Sequence, residues 1–272
     1  MKFKFLIIAF NIIIVFFLFI IIILPSILTG YEAAANMRYF TLPLSVLLIL
    51  LLAGLNVFSL SNYRLFSLLD REDWPALVYY LEQKIYVKGG YSSRKVKLLA
   101  SCYLVISDYS SVIALEGKTL LAKPALIEKN ALIFGAARVL SGNYKAAAAF
   151  FRTRLDQRKK LKNEQWVIWF YGFSQMLAGV YEAAEQEFTS LATSSQDAIV
   201  TGLSAYFLHN NVAKYSLKPA DCRAAAEKGR DRVVNTLINV AGWKKAAAKT
   251  ETDVHITIIK KYIDEAGAFL WA

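Results

Sequence analysis

Only four charged side chains occur in the first 60 of 272 residues: Lys2, Lys4, Glu32 and Arg38. Charged residues make up 19% of the whole chain, against roughly 25% in a soluble domain. That scarcity excludes a wholly soluble protein. Two cysteines and two histidines are too few for a disulfide framework or for a zinc site built on Cys/His clusters. Five prolines and 13 glycines, beside 14% aromatic residues, exclude a disordered or fibrous chain. After Ser61 there is no sustained two-residue alternation and no Asn-Gly or Asp-Gly hairpin signal, so an all-α protein is expected. Gly89-Gly90 reads as a turn and not as a phosphate-binding loop. His209 and His255 have no matched nucleophile or carboxylate, Cys102 reads as a core residue, and Cys222 beside Arg223 reads as a helix start. No catalytic residue, cofactor, metal, small-molecule substrate or nucleic-acid partner is expected.

What is abundant is apolar length. Phe5 to Leu24 holds one polar side chain, Asn11. Twenty helical residues cover about 30 Å, the thickness of a hydrocarbon core. A cleaved signal peptide would have a shorter apolar run and a small-residue cleavage site; here Pro25-Ser26-Ile27-Leu28 follows, so a retained helix is expected. A second span is expected over Leu42–Leu60, with Pro43 in its first turn. Leu47 to Leu52 is apolar on every face, which favours lipid over a buried soluble helix. The short connection makes the pair a transmembrane hairpin within residues 1–60. Lys2, Lys4, Arg64 and Arg71 flank it, whereas Arg38 alone lies in the connection, so the positive-inside rule puts both termini in the cytoplasm of a bacterial inner membrane. A periplasmic repeat domain is the alternative.

The rest of the chain repeats. Aromatic residues stand at Trp74, Tyr109, Tyr144 and Tyr181, at intervals of 35, 35 and 37. Nine residues before each stand Leu65, Ala100, Gly135 and Gly172. Gly142 and Gly179 precede the last two aromatics by two residues. Seven residues after each aromatic stand Leu81, Glu116, Phe151 and Phe188, with Glu116 departing from the pattern. A small residue in a first helix, a Gly and an aromatic at the turn, then an Ala and a Phe in a second helix resemble the tetratricopeptide repeat family. The resemblance covers residues 60–196 and is best for the third and fourth repeats; the family's terminal proline is missing. It implies an α-solenoid of about four to five helix-turn-helix repeats, in which small residues admit the partner helix and Gly142 and Gly179 end first helices with φ > 0. The expected organisation is a hairpin over 1–60, repeats over 61–196, and a divergent repeat with capping helices over 197–272. Within the last part, helices are expected over Asp197–His209, Pro219 to about Val240, and Thr252–Trp271. Ile256, Ile259, Ile263 and Leu270 would lie on one face of the last.

The resemblance also implies a binding groove lined by the first helices. Trp166, Trp169, Phe173 and Met176 fall on that face by helical spacing, with Leu132, Ala136 and Val139 in the preceding repeat. Arg94, Lys97, Ser101 and Leu104 make it basic towards the membrane. Such an aromatic stripe needs a cover, either the chain's own C-terminal helices or a partner helix lying in the groove. Arg152, Arg154, Arg158, Lys159, Lys160 and Lys162 form a basic run, and residues beyond 60 carry 29 Lys/Arg against 20 Asp/Glu. This run reads as a solvated helix end, a contact for anionic lipid headgroups, or a site for an acidic protein. The expected function is a membrane-anchored, non-catalytic scaffold that assembles proteins in a bacterial envelope complex. Its topology resembles that of collar and stator-scaffold proteins of flagellar motors. The alternative is an accessory subunit of a membrane enzyme or transporter, with Asn11 and Asn56 facing other membrane helices.

Overall fold

A computed structural model describes residues 2–24, 27, 31–157, 161, 163–250 and 259–271. All regular structure among them is helical. The chain divides into two compact units, Met1–Leu81 and Glu82–Ala272.

The first unit contains α1 (Lys2–Ile22), α2 (Tyr31–Ser61) and α3 (Tyr63–Asp70), and α4 (Trp74–Glu82) runs to its boundary. Helix α2 begins eleven residues before the expected second span, so Pro43 lies inside a longer helix instead of opening one. Within α2 the stretch Tyr39–Ser61 is long and apolar enough to cross a membrane, and only 11% of its apolar 18-residue segment is buried. Pro43 therefore leaves the Tyr39 carbonyl without its usual helical N–H donor, the cost of a proline inside a helix. Leu47, Leu50, Val57 and Leu60 are each at least 60% exposed. Helix α1 packs on α2, and the described apolar run within it, Ile7–Ile22, is shorter. Where they meet, Asn11 and Asn56 exchange amide hydrogen bonds of 3.1 and 2.9 Å, and Asn56 Nδ2 also donates to the Leu52 carbonyl at 2.8 Å.

Helix α4 continues into a π-helical turn, Gln83–Val87. The second unit then holds α5 (Ser93–Val105), α6 (Tyr109–Ala122), α7 (Ala125–Lys129), α8 (Ala131–Leu140), α9 (Tyr144–Asp156), α10 (Glu164–Leu177) and α11 (Tyr181–Ser194). It ends with α12 (Ala198–Asn210), a 3₁₀ turn (Val212–Lys214), α13 (Pro219–Leu237), α14 (Val240–Thr250) and α15 (Lys260–Leu270). Helices pack in consecutive pairs: α5 with α6, α8 with α9, α10 with α11, and α12 with α13. The first members of the pairs also pack in sequence, α5 on α8, α8 on α10, α10 on α12, and α12 finally on α15.

The four aligned aromatics each open a helix: Trp74 in α4, Tyr109 in α6, Tyr144 in α9 and Tyr181 in α11. Two residues before each stands a left-handed residue, Glu72 (φ 53°), Ser107 (φ 59°), Gly142 (φ 75°) and Gly179 (φ 80°). The residue after it donates its N–H five residues back, Asp73 to Leu68, Asp108 to Tyr103, Asn143 to Arg138 and Val180 to Gln175, at 2.9 to 3.2 Å. This is one Schellman turn made four times. Asp73, Asp108 and Asn143 then cap the next helix through their side chains, accepting from Ala76, Ser111 and Ala146. The glycine signal marks only two of these turns; Glu72 and Ser107 hold the same conformation against a steric cost of roughly 1–2 kcal/mol each.

The small residues fit their role. A Cβ on Gly135 would fall within the Phe151 ring, and one on Gly172 would lie 3.2 Å from Phe188 and Glu187. Tyr144 and Tyr181 are half-buried at the starts of their helices. Where a helix over Asp197–His209 is expected, α12 runs from Ala198 to Asn210 with Asp197 as its cap, and α13 opens on Pro219 but ends at Leu237. Helix α14 has no counterpart in the expected organisation. Ile256 and the first part of the expected last helix lie outside the described residues; Ile259, Ile263 and Leu270 are buried on one side of the chain's end.

Candidate functional site

The stripe Trp166, Trp169, Phe173 and Met176 is not an open groove. All four side chains are buried, Trp169 completely, as are Leu132, Ala136 and Val139. Trp169 stacks on Phe173 with ring centres 4.9 Å apart, and Phe207 of α12 lies 5.8 Å from Trp169 and 5.4 Å from Phe173. Phe188 reaches the same cluster from α11, and Tyr262 of α15 meets Phe173 at 5.7 Å. The Trp166 indole N–H donates to Asp197 at 2.9 Å, tying α10 to the cap of α12. The expected partner groove is therefore corrected: the chain's own α12 and α15 cover it. Each large ring removed from water gains about 1.5–3 kcal/mol, and the next helices in the chain are already at hand to cover them. Of the groove's basic end, Arg94 is exposed and Lys97 half-buried, so these two remain on the surface.

The basic run divides. Arg152 is exposed and pairs with Asp156 at 3.1 Å, one turn along its own helix. The Arg154 side chain is only 11% exposed and is corrected from surface cation to internal partner. It lies 3.8 Å from Glu116 and 3.5 Å from Glu128, while Arg138 meets Glu116 at 2.7 Å. Both guanidiniums also lie over the Phe150 ring, 4.5 Å from its centre for Arg138 and 4.8 Å for Arg154. Glu116, the one departure from the repeat pattern, thus joins α6 to α8 and α9. Arg158, Lys159, Lys160 and Lys162 lie outside the described residues.

Burial pushes the Cys102 thiol up to about 11 and raises that of Cys222, so neither is a poised thiolate. His209 lies tilted against Phe269 with ring centres 5.2 Å apart, and His255 lies outside the described residues. No His, Cys, Asp or Glu cluster suited to a metal occurs among the described residues.

A cleft of about 750 Å³ opens where the turn before α11 faces the segment between α12 and α13. Val180, Tyr181, Glu182, Glu185, Tyr215 and Leu217 line it, together with Lys218. Tyr181 and Tyr215 stack with centres 4.2 Å apart. Leu217 is 98% exposed, Tyr215 62% and Val180 45%. Apolar side chains this open, beside two carboxylates, can seat a chain segment bearing an apolar residue and a cation. Sequence reasoning marked Tyr181 as a repeat position only; Leu217 lies in a stretch without periodicity and gave no signal.

A relative from Treponema pallidum (strain Nichols), itself called an uncharacterized protein, is 26% identical over 252 residues, covering 89% of this chain and 78% of the relative. No solved structure matches the chain. A family described as "Uncharacterised Treponema protein" matches residues 111–272, from the first turn of α6 to the C-terminus and so more than half of the length. The chain belongs to that family.

Proposed function

We propose that the protein is a membrane-anchored, non-catalytic scaffold. Helices α1 and α2 act as a two-span hairpin in a bacterial inner membrane, and the helical pairs that follow form a tetratricopeptide-like α-solenoid that holds other proteins of an envelope complex. The observation that carries this reading is the outward apolar surface of α2, which only a bilayer or a protein of equal apolarity can cover. The Asn11–Asn56 pair supports the hairpin, since each amide supplies the other with a partner away from water. An accessory subunit, whose asparagines would face other membrane helices, is the alternative reading. The fourfold Schellman turn and the Gly135–Phe151 contact support a repeated helical hairpin. With the aromatic groove filled from within, the partner surface moves to the Tyr181–Tyr215 cleft, and its carboxylates favour a cationic, apolar protein segment. A flagellar motor collar remains one fold-level reading of such a scaffold.

Alkaline extraction of membranes tests the anchor, and reporter fusions after Thr29 and Ala272 test the topology. Retention in the pellet, with a reporter at Ala272 active only in the cytoplasm, is expected. Release into the supernatant overturns the anchor; periplasmic activity at Ala272 reverses the topology. Crosslinking from a photoreactive residue at position 217 should capture soluble partner proteins. A single stoichiometric membrane subunit captured there would favour the accessory reading.

A further inference from the structure

One region of the second unit combines exposed apolar side chains, tyrosines and basic residues. Residues 83–97 carry Lys84, Lys88, Arg94, Lys95 and Lys97 and no Asp or Glu. The last turns of α6 and the residue after it add Lys118 and Lys123. The two stretches form one surface: the Lys118 ammonium lies 3.9 Å above the Tyr86 ring, Tyr86 and Tyr91 have centres 6.5 Å apart, and Lys123 donates to the Tyr91 carbonyl at 3.1 Å. Val87 is 71% exposed, Leu120 46% and Leu121 89%.

Helix α6 is apolar on both sides: it buries Val112 and Leu115 together with Glu116 and Thr119, while Ile113, Ala114, Gly117, Leu120 and Leu121 face out. A Cβ on Gly117 would meet nothing within 4 Å. The neighbouring acids are partnered: Glu82 accepts from the Tyr103 hydroxyl, and Glu116 and Glu128 are held by arginines. Tyrosine, leucine and lysine on one surface make up the composition of a bilayer interface, where rings and aliphatic chains enter the headgroup layer and ammonium groups meet lipid phosphates.

We propose that this Tyr86–Val87–Lys88–Lys118–Leu121 surface is a second, peripheral membrane contact that seats the second unit on an anionic leaflet. The inference rests on the membrane-anchored reading above. Its position in the chain favours lipid over a protein as the occupant, because residue 83 follows the end of α2 by only 22 residues. The basic run at Arg152–Lys162 is not needed for this contact.

The test uses the full chain reconstituted in phosphatidylcholine vesicles with or without phosphatidylglycerol. An environment-sensitive dye is placed at Leu121→Cys; the native cysteines, buried in the fold, stay unlabelled. With phosphatidylglycerol, the emission should shift to the blue and be quenched by lipids carrying a spin label near the headgroup. The shift should shrink in Lys88→Glu and in about 1 M salt, where the Debye length is only about 3 Å. Water-like emission in the anionic vesicles overturns the proposal. So does a shift that no lipid quencher reaches, which would mean a protein cover, and so does a shift indifferent to both phosphatidylglycerol and salt. A second label at Leu50→Cys, read with lipids spin-labelled deep in the acyl chain, reports the anchor separately. Quenching there without quenching at Leu121 refutes the seat and keeps the anchor; quenching at neither refutes both.

Discussion

Replacing Glu116 by leucine sets the repeat pattern against the tertiary structure. The equivalent positions hold Leu81, Phe151 and Phe188, so by pattern alone Glu116→Leu repairs a defect. Burying one such apolar side chain would then add about 1.5–3 kcal/mol. The structure reverses the sign. Arg138 and Arg154 have side chains only 15% and 11% exposed, and both lie against Glu116. Breaking a buried pair from one side costs about 3–5 kcal/mol, because the surviving charge is stranded. Residual solvent contact and the retained Glu128 lower the figure for this site to about 2–3 kcal/mol net loss. Adding Arg138→Leu removes the most closely paired of the two stranded charges, leaves Arg154 with Glu128, and should recover most of the loss. Denaturant unfolding of the detergent-solubilised chain, followed by helical circular dichroism, measures all three variants and the coupling between them. A Glu116→Leu variant as stable as the parent, or more stable, would refute the reasoning. So would additive effects of the two changes.

Trp169→Ala should cost about 3–5 kcal/mol of folding stability, because the ring is wholly enclosed by the chain's own aromatics; unchanged melting together with lost partner recovery would restore the open-groove reading. Ser107→Gly should raise stability by about 0.5–1 kcal/mol, since relief of the left-handed strain outweighs the added freedom of the unfolded glycine, and a fall in the denaturation midpoint would count against it. Burial raises the Glu187 carboxyl, although Arg152 pulls it down. A raised carboxyl binds its proton more tightly folded than unfolded, so stability falls as pH rises through and above the ordinary carboxylate range. Glu187→Gln should therefore be more stable than the parent at neutral pH and equal to it in mild acid; an advantage that persists in acid would implicate packing instead of charge.

Much of the helical architecture was legible in the residues. The 35-residue spacing located four turns that share one geometry, because a Schellman turn needs a left-handed residue at a fixed distance from the next helix start. Gly142 and Gly179 announced two of them; Glu72 and Ser107 did not, since L-residues reach that conformation only when hydrogen bonds and packing on both sides impose it. Gly135 and Gly172 revealed close helix contacts because a missing side chain is visible as such. The apolar run of α2 was legible for the same reason, although its helix starts earlier than Pro43 suggested.

Partners were not legible. Helical spacing put Trp166, Trp169, Phe173 and Met176 on one face, but spacing is local and does not say what lies opposite. Phe207 and Tyr262 fill that place from α12 and α15, both well beyond Phe173 in the chain. Glu116 looked like a lapse in a pattern until Arg138 and Arg154 met it from two other helices, and Arg154 looked like surface charge for want of the same information. Composition and period are properties of a segment and determined the helices, their turns and the membrane-length stretch. Burial and ion pairing are properties of two segments at once, so only the tertiary structure decided which aromatics are core and which lysines and leucines are left facing out.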